Sequence, residues 1–279
     1  MDYTHVIVYF SPAGTTRLVA ETIRQRLLDH HCRVEIVDLG VRHAAPSQFA
    51  FDRAGAPTCL WIGSPVYCDH PVPVVSVWID TLVQGTAGYA VPFVTWGGVT
   101  SGLALAEMAA SLAAKRYVPV AAAKVLAVHS SMWRVPEPLA QGHPDHADLD
   151  QVRTLVDVVV DRLAQADVAP LEMSRLDYLT PVMRAEAQVK SLAAAKSAMP
   201  PLSADQQRCT SCGLCAEICP TRAITLDPQP VIGASCVLCL QCVRSCPEEA
   251  FLWNEEAVAA RIREMAARSA EEQVTTLFY

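Results

Sequence analysis

Eight of the 11 cysteines lie between Cys209 and Cys246. They form two copies of one pattern, C-x2-C-x2-C-x3-C-P, and the second copy follows the first at an offset of 27 residues. Thiolates at this spacing are ligands of [4Fe–4S] clusters, because three of them wrap one cube while the fourth, one helical turn later, points to the other cube. Pro220 and Pro247 then end each turn. The repeat therefore predicts two [4Fe–4S] clusters.

The spacing also predicts which cysteines share a cluster, since the fourth cysteine of each copy belongs to the other copy's cube. The first cluster is expected on Cys209, Cys212, Cys215 and Cys246, and the second on Cys236, Cys239, Cys242 and Cys219. The alternative is a pair of zinc sites, which usually use two C-x2-C pairs or histidine ligands. No histidine lies in this segment, so the spacing favours clusters.

From Asp205 to Asn254 the segment resembles the bacterial two-cluster ferredoxins. The resemblance implies a compact fold of two β-hairpins and two short helices with pseudo-two-fold symmetry. Leu240 stands where the first copy has Gly213. We expect the second loop to approach its cluster less closely for that reason, because glycine allows the closest backbone approach.

The preceding part of the chain alternates apolar runs with amphipathic stretches. Continuous apolar runs indicate strands buried on both faces, as in a parallel sheet. The runs are Val6–Phe10, Val34–Val37, Thr58–Ile62, Val91–Thr95 and Lys124–Val128. Helical stripes separate them, for example Val19, Ile23 and Leu27. The sequence predicts an α/β, doubly wound, five-stranded parallel sheet, followed by a small α+β domain.

Ligands of such sheets bind beyond the carboxyl ends of the strands, so the loops that follow the strands are candidate sites. The candidate residues are Ser11, Ala13, Gly14, Thr15 and Thr16 after the first strand, Ser64, Pro65, Val66 and Tyr67 after the third, and Thr95, Trp96, Gly97 and Gly98 after the fourth. The first loop precedes a helix and suits a phosphate. The alternatives are a simple helix cap for the first loop and aromatic plugs for Tyr67 and Trp96. Asp69 is expected to cap the next helix.

These loops resemble those of the flavodoxins. The first loop is similar to the phosphate loop S-x-T-G-N-T, with Ala13 in place of its first threonine and Thr15 in place of its asparagine. The resemblance implies that FMN binds with its phosphate at the first loop and its ring between the other two.

The whole layout resembles the fused flavodoxin–ferredoxin proteins known as the EFR1 family, through Gly63-Ser64-Pro65-Val66-Tyr67 and the end of the second cysteine motif. Many relatives have a Gly-Arg pair next, where this chain has Cys68-Asp69-His70. The expected organisation is a flavodoxin-like domain (1–166), a helical connector (167–204), a ferredoxin-like domain (205–254), and a C-terminal helix and tail (255–279). The segment 130–150 is an insertion that suits a lid, with Trp133 and Arg134 over the flavin or an anionic substrate.

The formal charge is −7, and eight thiolates around two cluster cores would make it about four units more negative. That charge disfavours nucleic acid and anionic membranes and suits a redox partner protein with a basic docking face. No apolar run reaches the roughly 18 residues of a membrane span, and no signal-peptide layout is present. We therefore expect a cytoplasmic protein with no membrane span.

Clusters carry single electrons, whereas a flavin accepts one or two. A chain that holds both can therefore convert between one-electron and two-electron transfer. The predicted function is an iron–sulfur flavoprotein oxidoreductase in which electrons pass between a low-potential donor, the clusters and FMN, which then reduces a partner protein or a small molecule. One alternative is an FMN-dependent reductase with a specific substrate under the 130–150 loop. Another is a flavin-free cluster relay that uses the flavodoxin-like domain for docking. No dinucleotide fingerprint and no catalytic residue are predicted.

Overall fold

The computed structural model describes residues 3–41, 57–82, 88–165, 168–199 and 202–279. The strands are β1 (Thr4–Tyr9), β2 (Arg33–Asp38), β3 (Thr58–Tyr67), β4 (His70–Pro71), β5 (Gly88–Trp96), β6 (Tyr117–Pro119), β7 (Ala122–Leu126), β8 (Ile224–Asp227), β9 (Gln229–Ile232) and β10 (Thr276–Phe278). The helices are α1 (Thr15–Asp29), α2 (Pro73–Asp80), α3 (Ala104–Ala114), α4 (His146–Leu163), α5 (Pro181–Val189), α6 (Leu192–Ser197), α7 (Leu214–Glu217), α8 (Gln241–Ser245) and α9 (Glu255–Arg268).

The main sheet has the order β10-β7-β5-β3-β1-β2, with β4 paired to β3 and β6 paired to β5. Its five central strands are parallel. Counted along the chain, their order is the 2-1-3-4-5 of flavodoxin-like folds, whose switch point lies between β1 and β3. The predicted α/β fold with five parallel strands is confirmed.

Both faces of this sheet are covered, which explains the continuous apolar runs. On one face, alternate strand residues such as Val8 and Ile62 pack against α2 and α3. On the other, Ile7 and Trp61 pack against α1 and α4. The predicted stripe on α1 is buried in this second layer, and each fully buried aliphatic side chain there stabilises the fold by about 1.5–3 kcal/mol.

The last strand, β10, adds an antiparallel edge to this parallel sheet. Thr276 pairs with Lys124 and Phe278 with Ala122 on β7, which would otherwise present an open edge. The ring of Phe278 stacks on Tyr178 of the connector, with centroids 5.4 Å apart. The sheet therefore takes its edge strand from the far end of the chain.

The small domain is built from two similar halves. In the first half α7 is followed by the hairpin β8–β9, and in the second half α8 is followed by an antiparallel bridge from Phe251 to Ala204. Left-handed residues recur at the offset of the cysteine repeat: Ser211 with Leu238, Gly213 with Leu240, and Arg222 with Glu249. The two halves therefore repeat the same backbone conformation at equivalent positions.

The connector contains α5 and α6, with a break at Lys190, whose backbone is extended. Thr180 caps α5 by accepting a hydrogen bond from Met183 N, and Pro181 occupies its first turn. The described part of the connector thus contains two short helices. Within the described residues, no helix has the length and apolar character needed to cross a membrane.

Candidate functional site

The first predicted cysteine set surrounds a small cavity that opens to the protein surface. All four of its members line the cavity: Cys209, Cys212, Cys215 and Cys246. Cys212 is exposed and Cys215 is buried. Burial and then the neighbouring charges of Cys209 and Cys212 raise the pKa of the Cys215 thiol. The fold therefore brings the fourth cysteine of the second motif to the first three of the first motif.

The second predicted set is assembled in the same crossed manner. The thiols of Cys219, Cys236 and Cys242 are close enough to Cys239 to interact electrostatically with it. Burial raises the pKa of Cys239 to about 11 and that of Cys242 to about 12. Because metal ligands are thiolates, filling this set must release protons.

The spacing of the thiols bears on the zinc alternative. Sulfur ligands of a tetrahedral zinc ion, at about 2.3 Å from the metal, lie roughly 3.8 Å apart. Within the described ranges, three ligand atoms lie within 4.8 Å of one another only at His143, Asp145 and Asp148. The cysteine sets are not among such compact groups, and the spacing of the two motifs remains the argument for clusters.

Backbone conformation and N–H···S hydrogen bonds repeat between the two sets. Ala223 N donates to Cys219 Sγ at 3.2 Å, and Ala250 N donates to Cys246 Sγ at 3.4 Å. Such bonds stabilise thiolate charge and contribute to cluster potentials. Leu240 keeps the left-handed conformation of Gly213, with φ of 58° against 83°. The expected difference in distance to a cluster stays a prediction.

The small domain packs on the carboxyl end of the main sheet with its second cysteine set inward. Val237 and Cys239 belong to the apolar core that contains Tyr67 at the end of β3. Arg244, on α8, donates to the carbonyl oxygens of Pro12 at 3.3 Å and Ser130 at 2.9 Å. The second set therefore faces the strand-end loops, whereas the first set faces outward.

The first strand-end loop leads directly into α1. Ser11 Oγ accepts a hydrogen bond from Arg17 N at 2.9 Å, and Thr16 Oγ1 lies 2.7 Å from Thr95 Oγ1 of the third loop. Gly14 is left-handed, with φ of 95°, and a Cβ added there would meet no atom within 4 Å. The N-cap residue Gly14 supplies no side-chain cap, so Ser11 Oγ is the one described side chain seen to accept a hydrogen bond from the first turn of α1. This helix start fits a phosphate, and Ala13 and Thr15 beside it are half-buried.

The second loop is a β-hairpin. β3 continues to Tyr67, and a two-residue turn of Cys68 and Asp69, both left-handed, returns the chain along β4. Ser64 is buried and its hydroxyl accepts from Val72 N, while Pro65 and Val66 are half-buried.

The prediction that Asp69 caps α2 is wrong. Val72 is the capping residue and uses no side-chain hydrogen bond, since Pro73 occupies the first turn of the helix. Asp69 Oδ2 instead forms an ion pair with Lys190 Nζ at 2.6 Å. Asp69 lies in the left-handed β3–β4 turn, a conformation that aspartate tolerates, and so it does not occupy the N-cap position of α2. Its ion-pair partner, Lys190, comes from the connector.

The third loop is covered by the chain itself. Thr95 is buried and Trp96 is 1% exposed, with Lys124 Nζ 5.0 Å from the Trp96 ring. A Cβ on Gly97 would lie 2.7 Å from the His129 side chain, and one on Gly98 would lie 3.2 Å from Leu139. Glycine at these two positions allows the loop after β7 to approach closely.

Two polar atoms at this end of the sheet are buried and have no hydrogen-bond partner among the described residues: Trp96 Nε1 and Trp133 Nε1. Tyr67 Oη is also buried there, beside the side chain of Ser130. Burial, and next the charge of Cys239, raises the pKa of Tyr67. Buried polar atoms without a partner are rare and point to a missing polar group. Together with the open start of α1, they fit a phosphate-bearing cofactor with a polar ring, such as FMN.

The predicted lid ends at Asp145, because α4 already begins at His146. Asp145 and Asp148 form a capping box at this helix start. Trp133 packs into the core of the small domain, and Arg134 forms ion pairs with Glu249 and Glu255, both at 3.3 Å. The loop thus joins the two domains.

A buried polar network lies beside the third loop and was missed by the sequence analysis. Lys124 Nζ and Glu271 Oε1 are 2.6 Å apart, with side chains 7% and 5% exposed. Ser101 N donates to Glu271 Oε2 at 2.7 Å, and Ser101 Oγ lies 2.9 Å from Tyr178 Oη. The signal in the sequence was Lys124 inside an otherwise apolar strand, because a buried lysine needs an anionic partner.

A family model for a 4Fe–4S binding domain matches residues 203–225, which contain the first cysteine motif. This match supports binding of a [4Fe–4S] cluster. No curated protein matches this chain.

Among solved structures, rubredoxin oxygen:oxidoreductase from Desulfovibrio gigas is 21% identical over 58% of this chain and 37% of its own length, with a TM-score of 0.44. A flavodoxin from the domain Archaea is 15% identical over 58% of this chain and 99% of its own, with a TM-score of 0.43. The flavodoxin of Streptococcus pneumoniae TIGR4 is 12% identical over 57% and 98%, with a TM-score of 0.43. The chain thus spans about a third of the oxidoreductase, and its strand order, rather than these likenesses, identifies the fold.

Proposed function

We propose that this chain is an iron–sulfur flavoprotein in electron transfer, with two [4Fe–4S] clusters on the two crossed cysteine sets and FMN at the strand-end loops. Clusters and flavin together supply conversion between one-electron and two-electron chemistry. Membership of the fused flavodoxin–ferredoxin proteins of the EFR1 family is part of this proposal.

One observation carries the proposal: the cysteines form two sets that differ in position. The first set lines a surface cavity, and Cys239 of the second set lies in the core beside Tyr67. A donor outside the protein and a cofactor on the main sheet would therefore face different cysteine sets. This placement is what a path from the surface to the strand-end loops requires.

The residues of the chain have separate tasks in this proposal. The eight cysteines hold the clusters, and N–H groups such as that of Ala223 stabilise their thiolate charge. The loop from Ser11 to Thr16 would hold the FMN phosphate. The indole N–H of Trp96 would meet a polar atom of the ring, because it is buried and lacks a partner among the described residues.

The surface around the first set indicates the character of a redox partner. Leu226 and Pro230 line the cavity, and Leu226 and Leu252 are exposed. Glu248 also lines it, in a chain whose formal charge is −7. Apolar contacts surrounded by negative charge suit a partner with a basic docking face, whose association would slow as salt is added.

The test is to purify the full chain anaerobically, to quantify iron and extracted flavin on one sample, and to record its visible spectrum during stepwise reduction. The proposal expects about eight irons and one FMN per chain, with both chromophores bleaching. About two zinc ions in place of iron would contradict it.

A cluster relay without flavin is the second candidate, and the coverage of the third loop favours it. Trp96 is almost fully buried, and His129 and Leu139 already lie against Gly97 and Gly98. Adding FMN to flavin-free protein separates the candidates: quenched flavin fluorescence at one equivalent supports the flavoprotein, and unchanged fluorescence with eight irons present supports the relay.

A further inference from the structure

Arg244 is a half-buried cation without an acidic partner among the described residues. Its guanidinium donates to the carbonyl oxygens of Pro12 and Ser130 and lies 4.7 Å from the centre of the Trp133 ring. Throughout the described part of the chain, no carboxylate lies within the 4.0 Å of an ion pair with it. Burial lowers the pKa of Arg244, so the protein holds this charge at a cost. Carbonyl dipoles and a ring face compensate only part of it.

The second cysteine set lies close to this charge. Arg244 lies on α8 between Cys242 and Cys246, and it interacts electrostatically with Cys239. Four thiolates around a cube core leave a net charge of about −2. Such a group would supply the anion that the guanidinium lacks.

The internal repeat places the opposite charge beside the other set. At the offset of 27 residues, the position of Arg244 in the second copy corresponds to Glu217 in the first. Glu217 is the last residue of α7 and is exposed. Two sets with the same ligands and matching backbone thus differ by a half-buried positive charge and an exposed negative one.

We propose that Arg244 is the counter-charge of the group bound on the second cysteine set and raises its reduction potential. The proposal rests on the two clusters of the proposed function. Reduction adds one negative charge, so a cation nearby stabilises the reduced form. Burial alone has the opposite effect, because it penalises the more negative state, and Arg244 offsets that penalty.

The effect of Arg244 should exceed that of Glu217. Charges interact more strongly where water is excluded, and solvent and salt screen an exposed carboxylate. Arg244 therefore makes the inner cluster the better electron acceptor, which favours electron flow from the surface towards the strand-end loops.

The test uses the full chain, loaded with clusters, in redox titrations followed by electron paramagnetic resonance. R244Q removes the charge and keeps a hydrogen-bond donor, R244K keeps the charge, and E217Q is the matched control at the equivalent position. We expect R244Q to lower the reduced-to-oxidised ratio of one cluster at least tenfold at a fixed potential, which is 59 mV for a one-electron couple. The other cluster should change less than threefold, and R244K should restore most of the shift.

E217Q should move the other cluster, upward and by less than R244Q moves its own. The proposal is overturned if R244Q leaves both clusters unchanged or shifts both equally. If R244Q loses iron, R244K decides alone: a ratio within threefold of the wild type supports the role of charge, and a tenfold fall overturns it. A wild-type chain without eight irons would instead overturn the proposed function, and this is seen before any titration begins.

Discussion

At the scale of the residue, the protein holds two histidines in opposite electrostatic situations. His5 is buried in the sheet, and its Nδ1 accepts a hydrogen bond from Trp61 Nε1 at 3.0 Å. Burial lowers the pKa of His5 to about 4. His70 lies at the end of the second loop, with Glu107 carboxylate oxygens 3.0 Å from its Nδ1.

Because the folded-state pKa of His5 lies below the unfolded value of about 6.5, its contribution to stability is present above pH 6.5 and is lost as the pH falls towards 4. The complete loss is roughly 3 kcal/mol. The variant H5Q keeps an acceptor for Trp61 but cannot be protonated. We expect the difference in unfolding free energy between wild type and H5Q, measured by urea denaturation, to shrink steadily between pH 6.5 and 4.5. Parallel curves would show that His5 is not buried in its neutral form.

His70 should show the opposite sign. Burial disfavours its charged form, but the hydrogen bond and charge of Glu107 outweigh burial and raise the pKa of His70. The stabilisation is therefore present below pH 6.5 and is lost as the pH rises through the folded-state value. In E107Q, thermal unfolding temperatures at pH 6 and pH 8.5 should differ less than in wild type. A larger difference in E107Q would contradict the assignment.

At the scale of the element, two left-handed glycines differ in how closely other atoms surround them. Alanine substitutions at the two positions therefore distinguish the cost of backbone conformation from the cost of a steric clash. Gly142, with φ of 83°, has no atom within 4 Å of an added Cβ, whereas a Cβ on Gly102, with φ of 58°, would lie 2.2 Å from the backbone oxygen of Asp69. G142A should cost about 1 kcal/mol of unfolding free energy from conformation alone. G102A adds a clash with the β3–β4 hairpin, and we expect a total cost of roughly 3 kcal/mol or more.

Equal costs of G102A and G142A in denaturant titrations would mean that the hairpin does not contact the third loop as described. G142A serves as the control here because it makes the same substitution in the same backbone region without the contact.

Elements defined by local patterns were predictable from the sequence. The five parallel strands and the helical stripe of α1 follow from apolar runs and spacing, and the crossed cysteine sets follow from a repeat in which one turn of helix separates the third and fourth ligands. β10 was not predicted as a strand, because three residues carry too little periodicity. The pairing of Lys124 with Glu271, 147 residues apart, depends on where the C-terminal segment docks.

The charge difference between Arg244 and the equivalent position of the first repeat was predictable from the sequence. The charge of Arg244 is reversed relative to Glu217, and that reversal is visible in the sequence. Its reach to Pro12, 232 residues away, was not predictable, because it depends on how the small domain packs on the main sheet. The conformation of Asp69 likewise depends on a distant partner, Lys190.

At the scale of the whole molecule, the C-terminal segment ties the two domains together. After α9 packs on the loop at Met132, Glu271 pairs with Lys124, and Thr275 Oγ1 donates to Asp148 Oδ1 at 2.5 Å and accepts from Leu126 N at 3.0 Å. The chain then adds β10 to the main sheet. The segment therefore connects the small domain to the sheet edge.

Loss of Glu271 should leave a buried lysine unpaired. We expect E271A to reduce the unfolding free energy by about 3–5 kcal/mol, because one partner of a buried ion pair stays behind. K124M with E271A removes both charges and should recover part of that loss. Thermal unfolding followed by far-ultraviolet circular dichroism measures the stability of both variants. If E271A alone were as stable as wild type, that result would contradict the buried ion pair.

We propose that the fold binds two clusters on crossed cysteine sets, one at the surface and one against the main sheet. C219S and C246S, each purified anaerobically, test it directly through iron content and the rate of bleaching by ferricyanide. Both should retain about four of eight irons. The account predicts that the cluster left in C219S, on the exposed first set, bleaches at least tenfold faster than the cluster left in C246S. Equal rates, or the slower rate in C219S, would contradict the crossed assignment and the inward placement of the second set.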